Sequence, residues 1–141
     1  MSSQLNVDTI VDKAGSGGTN VKVANTSTYV SDGGATTQNT VQSLLKVWCL
    51  FVQSSSHTVS DSFNIGSLTD NGAGDTTQNF TNNMSSSNFS GNCNIGLSNN
   101  RYAVWSTLGT GTMPVAVYQR GSYNTADDAN GVTTQVAGDL A

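Results

Sequence analysis

The only histidine of this chain, His57, stands between Cys49 and Asp61. Thiol, imidazole and carboxylate are the parts of a cysteine nucleophile, in which the thiolate must lie within hydrogen-bond reach of the ring. The flanking residues argue against that use. Cys49 falls inside the apolar run Val47-Trp-Cys-Leu-Phe-Val52 and reads as a small core residue. His57 follows Ser54-Ser-Ser56 and reads as an exposed turn residue. Aspartates offer a second chemistry, since glycoside hydrolysis needs two carboxylates flanking a cleft. Asp61, Asp70, Asp75, Asp127 and Asp128 all sit at or beside turns, where aspartate bonds to the local backbone. A chain this short also has little room for a long sugar-binding cleft. The Asp70-Asn-Gly-Ala-Gly-Asp75 run carries oxygen ligands for calcium but lacks the alternating acids and final glutamate of a helix-loop-helix calcium loop. A hairpin turn is the simpler reading. Gly15-Ser-Gly-Gly-Thr19 is no phosphate loop, because no Gly-Lys-Ser/Thr follows it. No catalytic residue, metal ligand or cofactor is therefore assigned. Tyr102, Trp105, Tyr118 and Tyr123 are the residues able to stack on a sugar, although aromatics on alternating strands more often serve the core or subunit contacts.

The elements that must position these groups are built from a lean alphabet. Of 141 residues, 35% are hydrophobic and 10% charged, and all nine acidic residues are aspartate. More than half of the chain is Ser, Thr, Asn, Gly or Gln. A small core must offset a backbone ordering cost of about 1–2 kcal/mol per residue. Burial against sister copies stabilises such a chain by mass action, so a homo-oligomer is expected. Five unclustered cations and a net charge of -4 exclude the basic footprint that nucleic acid requires. No apolar run approaches the length of a membrane span. The N-terminus lacks the basic and apolar regions of a signal peptide, which predicts a chain made and kept in a cytoplasm. In that compartment a Cys49–Cys93 disulfide is not expected.

Residues 1–35 read as an extended N-terminal anchoring arm. Leu5 and Val7, and again Val21 and Val23, alternate as in short strands with one apolar face. Residues 36–46 read as a short helix, because Val41, Leu44, Leu45 and Trp48 fit the i, i+3, i+4, i+7 spacing and are expected at the junction and core. Residues 47–141 read as the β-domain. Val47 to Gln53 is apolar on both faces, which predicts a strand covered on both sides. Thr76 to Thr81 reads as a polar strand, Asn82 to Asn92 as a loop, and Asn94 to Leu97 as a short strand. Tyr102 to Thr107, Met113 to Arg120 and Val132 to Val136 read as further strands. The fold class expected is all-β: a small antiparallel β-sandwich or jelly-roll-like domain preceded by the arm and one short helix.

At Lys46-Val-Trp48, Asp61-Ser-Phe-Asn-Ile65 and Leu68-Thr-Asp-Asn-Gly-Ala-Gly-Asp75 the chain resembles a module of tail-fibre and appendage proteins in marine bacteriophages, notably cyanophages. There a Lys-x-Trp strand precedes a Ser-Phe-Asn strand, an Asp-Asn-Gly-x-Gly-Asp turn and a strand ending Asn-Phe, here Asn79-Phe80. The likeness covers residues 20–85 well and the rest loosely. It departs at Ser60, where arginine is common, and at Thr76-Thr-Gln78, where Tyr-Thr-Val is usual. The resemblance implies a non-enzymatic virion structural protein, a trimer, assembled in the host cytoplasm.

The function expected is a tail-fibre or appendage subunit that attaches through its arm to a tail adaptor or longer fibre. An alternative is a capsid decoration or head-fibre protein bound to the major capsid protein. A further alternative is a module for host surface glycan, using Tyr102, Trp105 and Tyr123.

Overall fold

The computed structural model describes residues 28–30, 37–39, 43–54, 56–96, 100–122 and 125–140. The chain divides into two units, Met1–Val41 and Gln42–Ala141. In the first, β1 (Thr28–Val30) pairs antiparallel with β2 (Thr37–Asn39), Thr28 opposite Asn39. The arm residues Leu5, Val7, Val21 and Val23 and the junction residue Val41 lie outside the described residues, as does Tyr123.

The described residues contain no helix. Where one is expected over 36–46, Thr37–Asn39 is strand and Leu45 already belongs to β3. A β-branched threonine and an asparagine that competes for backbone groups are poor helix residues. Pairing with neighbouring strands satisfies the same backbone groups that a helix would, and the helical spacing of Leu44, Leu45 and Trp48 gives way to it.

The second unit is all-β. Its strands are β3 (Leu45–Val52), β4 (Thr58–Phe63), β5 (Ile65–Gly72), β6 (Asp75–Phe80), β7 (Ser90–Ile95), β8 (Arg101–Trp105), β9 (Thr112–Gln119) and β10 (Asn130–Ala137). They form two antiparallel sheets of four, ordered β4-β3-β10-β7 and β5-β6-β9-β8. Strand β7 begins at Ser90, inside the segment read as a loop.

Period-two alternation places the core. Val47, Cys49 and Phe51 of β3, Val132 and Val136 of β10, and Met113, Val115 and Val117 of β9 are buried in one cluster with Phe80 and Met84. Both sheets feed this cluster, as in a sandwich. Leu44, Leu45 and Trp48 are exposed instead: Trp48 alternates with core-facing Val47 and Cys49, Leu45 is turned outward by the register shift between Val47 and Leu45, and Leu44 precedes the strand. Cys49 and Cys93 are free thiols, both opposite Thr134 on strands flanking β10. Two strand spacings, roughly 9–10 Å, hold their backbones beyond disulfide reach.

One residue joins the two sheets. Strands β4 and β5 are separated only by Asn64, whose φ of 61° is left-handed. There the chain leaves one sheet and enters the other. The Asn64 amide donates to the carbonyls of Lys46 (3.2 Å) and Asn82 (3.0 Å), and its Oδ1 accepts from the Asn82 backbone N–H (2.7 Å). Asparagine tolerates this conformation better than most residues and here also ties down both sides of the corner.

Replacing Asn64 with Ala is expected to destabilise the sandwich by about 2–4 kcal/mol, from left-handed strain plus the lost amide bonds. Asn64→Gly should recover only the strain, roughly 1 kcal/mol. Urea midpoints check this; equal midpoints for the two variants would remove the backbone half of the explanation.

Candidate functional site

The constellation closest to chemistry is a chain of hydrogen bonds through one end of the sandwich. Gln53, just past β3, is buried and donates through Nε2 to Thr76 Oγ1 (2.9 Å), while its Oε1 accepts from the Ala129 backbone N–H (3.2 Å). Thr76 Oγ1 lies 2.9 Å from His57 Nδ1. Nε2 is 3.5 Å from Asp70 Oδ1. The sequence reading of His57 as an exposed turn residue is thus corrected: its side chain is 3% exposed. Ser54 and Ser56 on either side of the turn are exposed, but the ring is held against Thr76 of β6.

Hydroxyl, imidazole and carboxylate in series resemble an activated nucleophile. Thr76, however, is fully buried, so its oxygen meets Gln53 and His57 and no solvent. The Cys49–His57 pairing is not formed either. Cys49 stands across the ladder from Ser62 and Thr134, and both His57 nitrogens face other partners. Burial, and then the charge of Asp61, push the Cys49 thiol up to about 11, which disfavours the thiolate that such chemistry needs.

A second polar tie crosses the core. Gln78 Nε2 donates to Thr134 Oγ1 (2.8 Å), and that hydroxyl donates back to Gln78 Oε1 (3.0 Å). Among the described residues no buried side-chain nitrogen or oxygen lacks a partner. Residues Thr76, Gln78 and Phe80 alternate inward along β6, and this period was the signal available for finding the buried glutamine.

The Asp70–Asp75 run forms the β5–β6 hairpin. Asp70 Oδ1 accepts from the Gly72 N–H (2.8 Å), and Asn71 donates to Thr77 Oγ1 (2.9 Å). Gly74 has φ +68°, and a Cβ there would lie 2.5 Å from the Val117 carbonyl. Its N–H donates to Asp128 Oδ1 (2.7 Å). These residues serve the turn and its docking on β9 and the loop before β10. Among the described residues no three His, Cys, Asp or Glu side chains are placed to share a metal ion.

A shallow cleft of about 250 Å³ opens between Tyr102, Gln119, Arg120 and Gly121. Tyr102 pairs with Tyr118 across β8 and β9, ring centroids 5.6 Å apart. Behind it, Asp127 Oδ2 accepts from Gln119 Nε2 (2.9 Å) and Arg101 Nε (2.7 Å). The Gln119 amide, then the Arg101 guanidinium, hold the Asp127 carboxyl below its usual range. Trp105 is 46% exposed at the end of β8 and is not part of the cleft lining.

The outer side of the first sheet is apolar at one edge. By register, Phe63 stands beside Trp48, which stands beside Gln135 and then Asn92; the next row is Asp61, Leu50, Thr133 and Asn94. Trp48, Leu50 and Phe63 are exposed by 37%, 39% and 54%. The strand read as covered on both sides is covered on one within the single chain.

Among the described residues no helix is long and apolar enough to cross a membrane. No family model, curated protein or solved structure matches this chain.

The Cys49 thiol is raised in the folded state, so the stability it confers is complete below pH 9, its ordinary value, and is lost as the pH climbs through about 11. Cys49→Val is expected to flatten that alkaline decline in urea midpoints measured from pH 8 to 11. An unchanged decline would place Cys49 outside its cause.

Proposed function

We propose that the protein is a non-enzymatic structural subunit of a bacteriophage particle, a tail-fibre or appendage component. Its N-terminal arm, through Leu5, Val7, Val21 and Val23, attaches by strand addition to neighbouring virion proteins, and the sandwich projects from there. Copies of the chain gather about a closed symmetry axis, threefold by the resemblance.

The observation that carries this reading is the use made of the residues shared with the appendage module. Asn64 turns the chain from one sheet into the other. Asp70, Asn71 and Gly74 close and dock a hairpin. Residues employed in this way maintain a shape. The titratable groups nearest to a catalytic set, His57, Asp70 and Cys49, are occupied by backbone turns, buried threonine and core packing.

Native mass spectrometry of the full-length chain at micromolar concentration is expected to give a multimer, with three copies favoured. A stable monomer that depolymerises a bacterial surface polysaccharide would overturn the reading.

A second reading, contact with host glycan, is favoured by one feature, the cleft beside the Tyr102–Tyr118 pair. A tyrosine face packs against sugar C–H groups, while Gln119 and Arg120 offer polar partners at the rim. Binding on a glycan array should then fall at least tenfold in Tyr102→Ala and stay unchanged in Trp105→Ala, which lies away from the cleft. Equal loss in both, or in neither, would remove the cleft from that role.

A further inference from the structure

We propose that the outer face of the β3–β4 hairpin is the surface on which a second copy of this chain packs, sheet against sheet, with these faces turned toward a common axis. The inference rests on the assembly reading above and names the surface that such an assembly uses.

The exposed apolar residues are not scattered. Nine large hydrophobic side chains are exposed among the described residues, and six of them, Leu44, Leu45, Trp48, Leu50, Val59 and Phe63, fall between residues 44 and 63. A monomer shows such residues singly; a contiguous apolar patch marks an interaction surface. Four of the six share the outer face by register, Leu45, Trp48, Leu50 and Phe63, and leave open on the order of 400 Å² of mostly apolar area, about half of the ~800 Å² that each partner contributes to a stable interface. The two rows that continue onto β10 and β7 through Gln135, Asn92, Thr133 and Asn94 supply the neutral polar remainder.

The chemistry of the face selects the occupant. Across both rows the only charge is Asp61, on the edge strand β4. A nucleic acid or a charged peptide finds no complementary field there. Two copies of the same neutral face meet without stacked like charges, provided that Asp61 stays at the rim, where the edge strand places it. The face also carries part of the pattern of an inner sheet face: large apolar groups at alternate positions along β3, Trp48 and Leu50, with Phe63 beside them on β4, an arrangement that interdigitates across about 10 Å when sheets pack. The edge itself is less suited to adding a strand. A bulge between Val59 and Asp61 interrupts its ladder, a device that discourages edge pairing and leaves the face as the contact.

The test uses the full-length chain. Phe63→Lys and Leu50→Lys place a charge on the face at already exposed sites, and Val104→Lys does the same at an exposed site on β8. Sedimentation across a concentration series is expected to show the multimer of the unaltered chain dissociating at concentrations at least tenfold higher for Phe63→Lys and Leu50→Lys, and unshifted for Val104→Lys. In a Trp105→Phe chain, which leaves Trp48 as the lone indole, acrylamide quenching should rise on dilution to the monomer. This second readout needs no charge in the hairpin, so it decides the matter even where a lysine variant misfolds. A multimer that survives both lysines, with Trp48 equally quenched at all concentrations, overturns this inference and leaves the assembly reading standing. A full-length chain that is monomeric throughout overturns both. Trp48 that becomes accessible in Val7→Lys with the mass unchanged would assign the face to the chain's own arm and likewise overturn the inference.

Discussion

The interior of this sandwich is held by side-chain hydrogen bonds that run from one sheet to the other. Gln78 and Thr134 bond reciprocally across the core, and Gln53, at the end of β3, bonds to Thr76 on β6. With a hydrophobic fraction of only 35%, the chain lacks the apolar volume to fill this layer with aliphatic groups alone. Each bond contributes about 1 kcal/mol when made, but a buried amide without its partner costs about 1–3 kcal/mol. The penalty is what gives these pairs their influence. A slip of two residues along β10, which keeps its side chains on the same face, would leave Gln78 facing Val132 or Val136 in place of Thr134, so the polar pairs hold the register more firmly than a greasy core would.

The corner at Asn64 and the hairpin at Asp70–Asp75 act on the same constraint from the outside. The corner sets where the edge strand passes between sheets. The hairpin, anchored on Asp128 through Gly74, fixes β6 against β9 and the loop before β10. Together they bracket β6, the strand carrying Thr76 and Gln78. The motif residues that stand out in the sequence are thus the ones that bring the polar core into alignment.

Much of the β-domain was legible. The alternation of Val47, Cys49 and Phe51, and of Met113, Val115 and Val117, reads directly as strands with one buried face. The Asn-Gly-Ala-Gly turn reads as a hairpin because two of its positions require positive φ. The failures have physical causes. Leu44, Leu45 and Trp48 fit a helical spacing, yet strand pairing with β10 decided the backbone and turned Trp48 outward. His57 reads as a surface residue because local composition carries no information about Thr76, nineteen positions away. Gln53 and Gln78 look like surface residues for the same reason: partners such as Thr134 are distant in sequence. The first half of β7 reads as loop and only its end as a strand, since its Ser, Gly and Asn residues carry little β-propensity, and pairing with β10 supplies what they lack.

The path of the chain through the first sheet has a mechanical consequence. Leu45 at the start of β3 lies opposite Ala137 at the end of β10, so the polypeptide enters and leaves the sandwich at one pole. Tension applied between those two points would peel the strands rung by rung, the weak direction for an antiparallel pair. Tension entering at Leu45 and resisted by the body of the domain meets a different geometry. Strand β3 lies between β4 and β10, and dragging it lengthwise loads both ladders at once. The domain is therefore a sturdy tether when hauled by its entrance alone and a zipper when pulled by both ends.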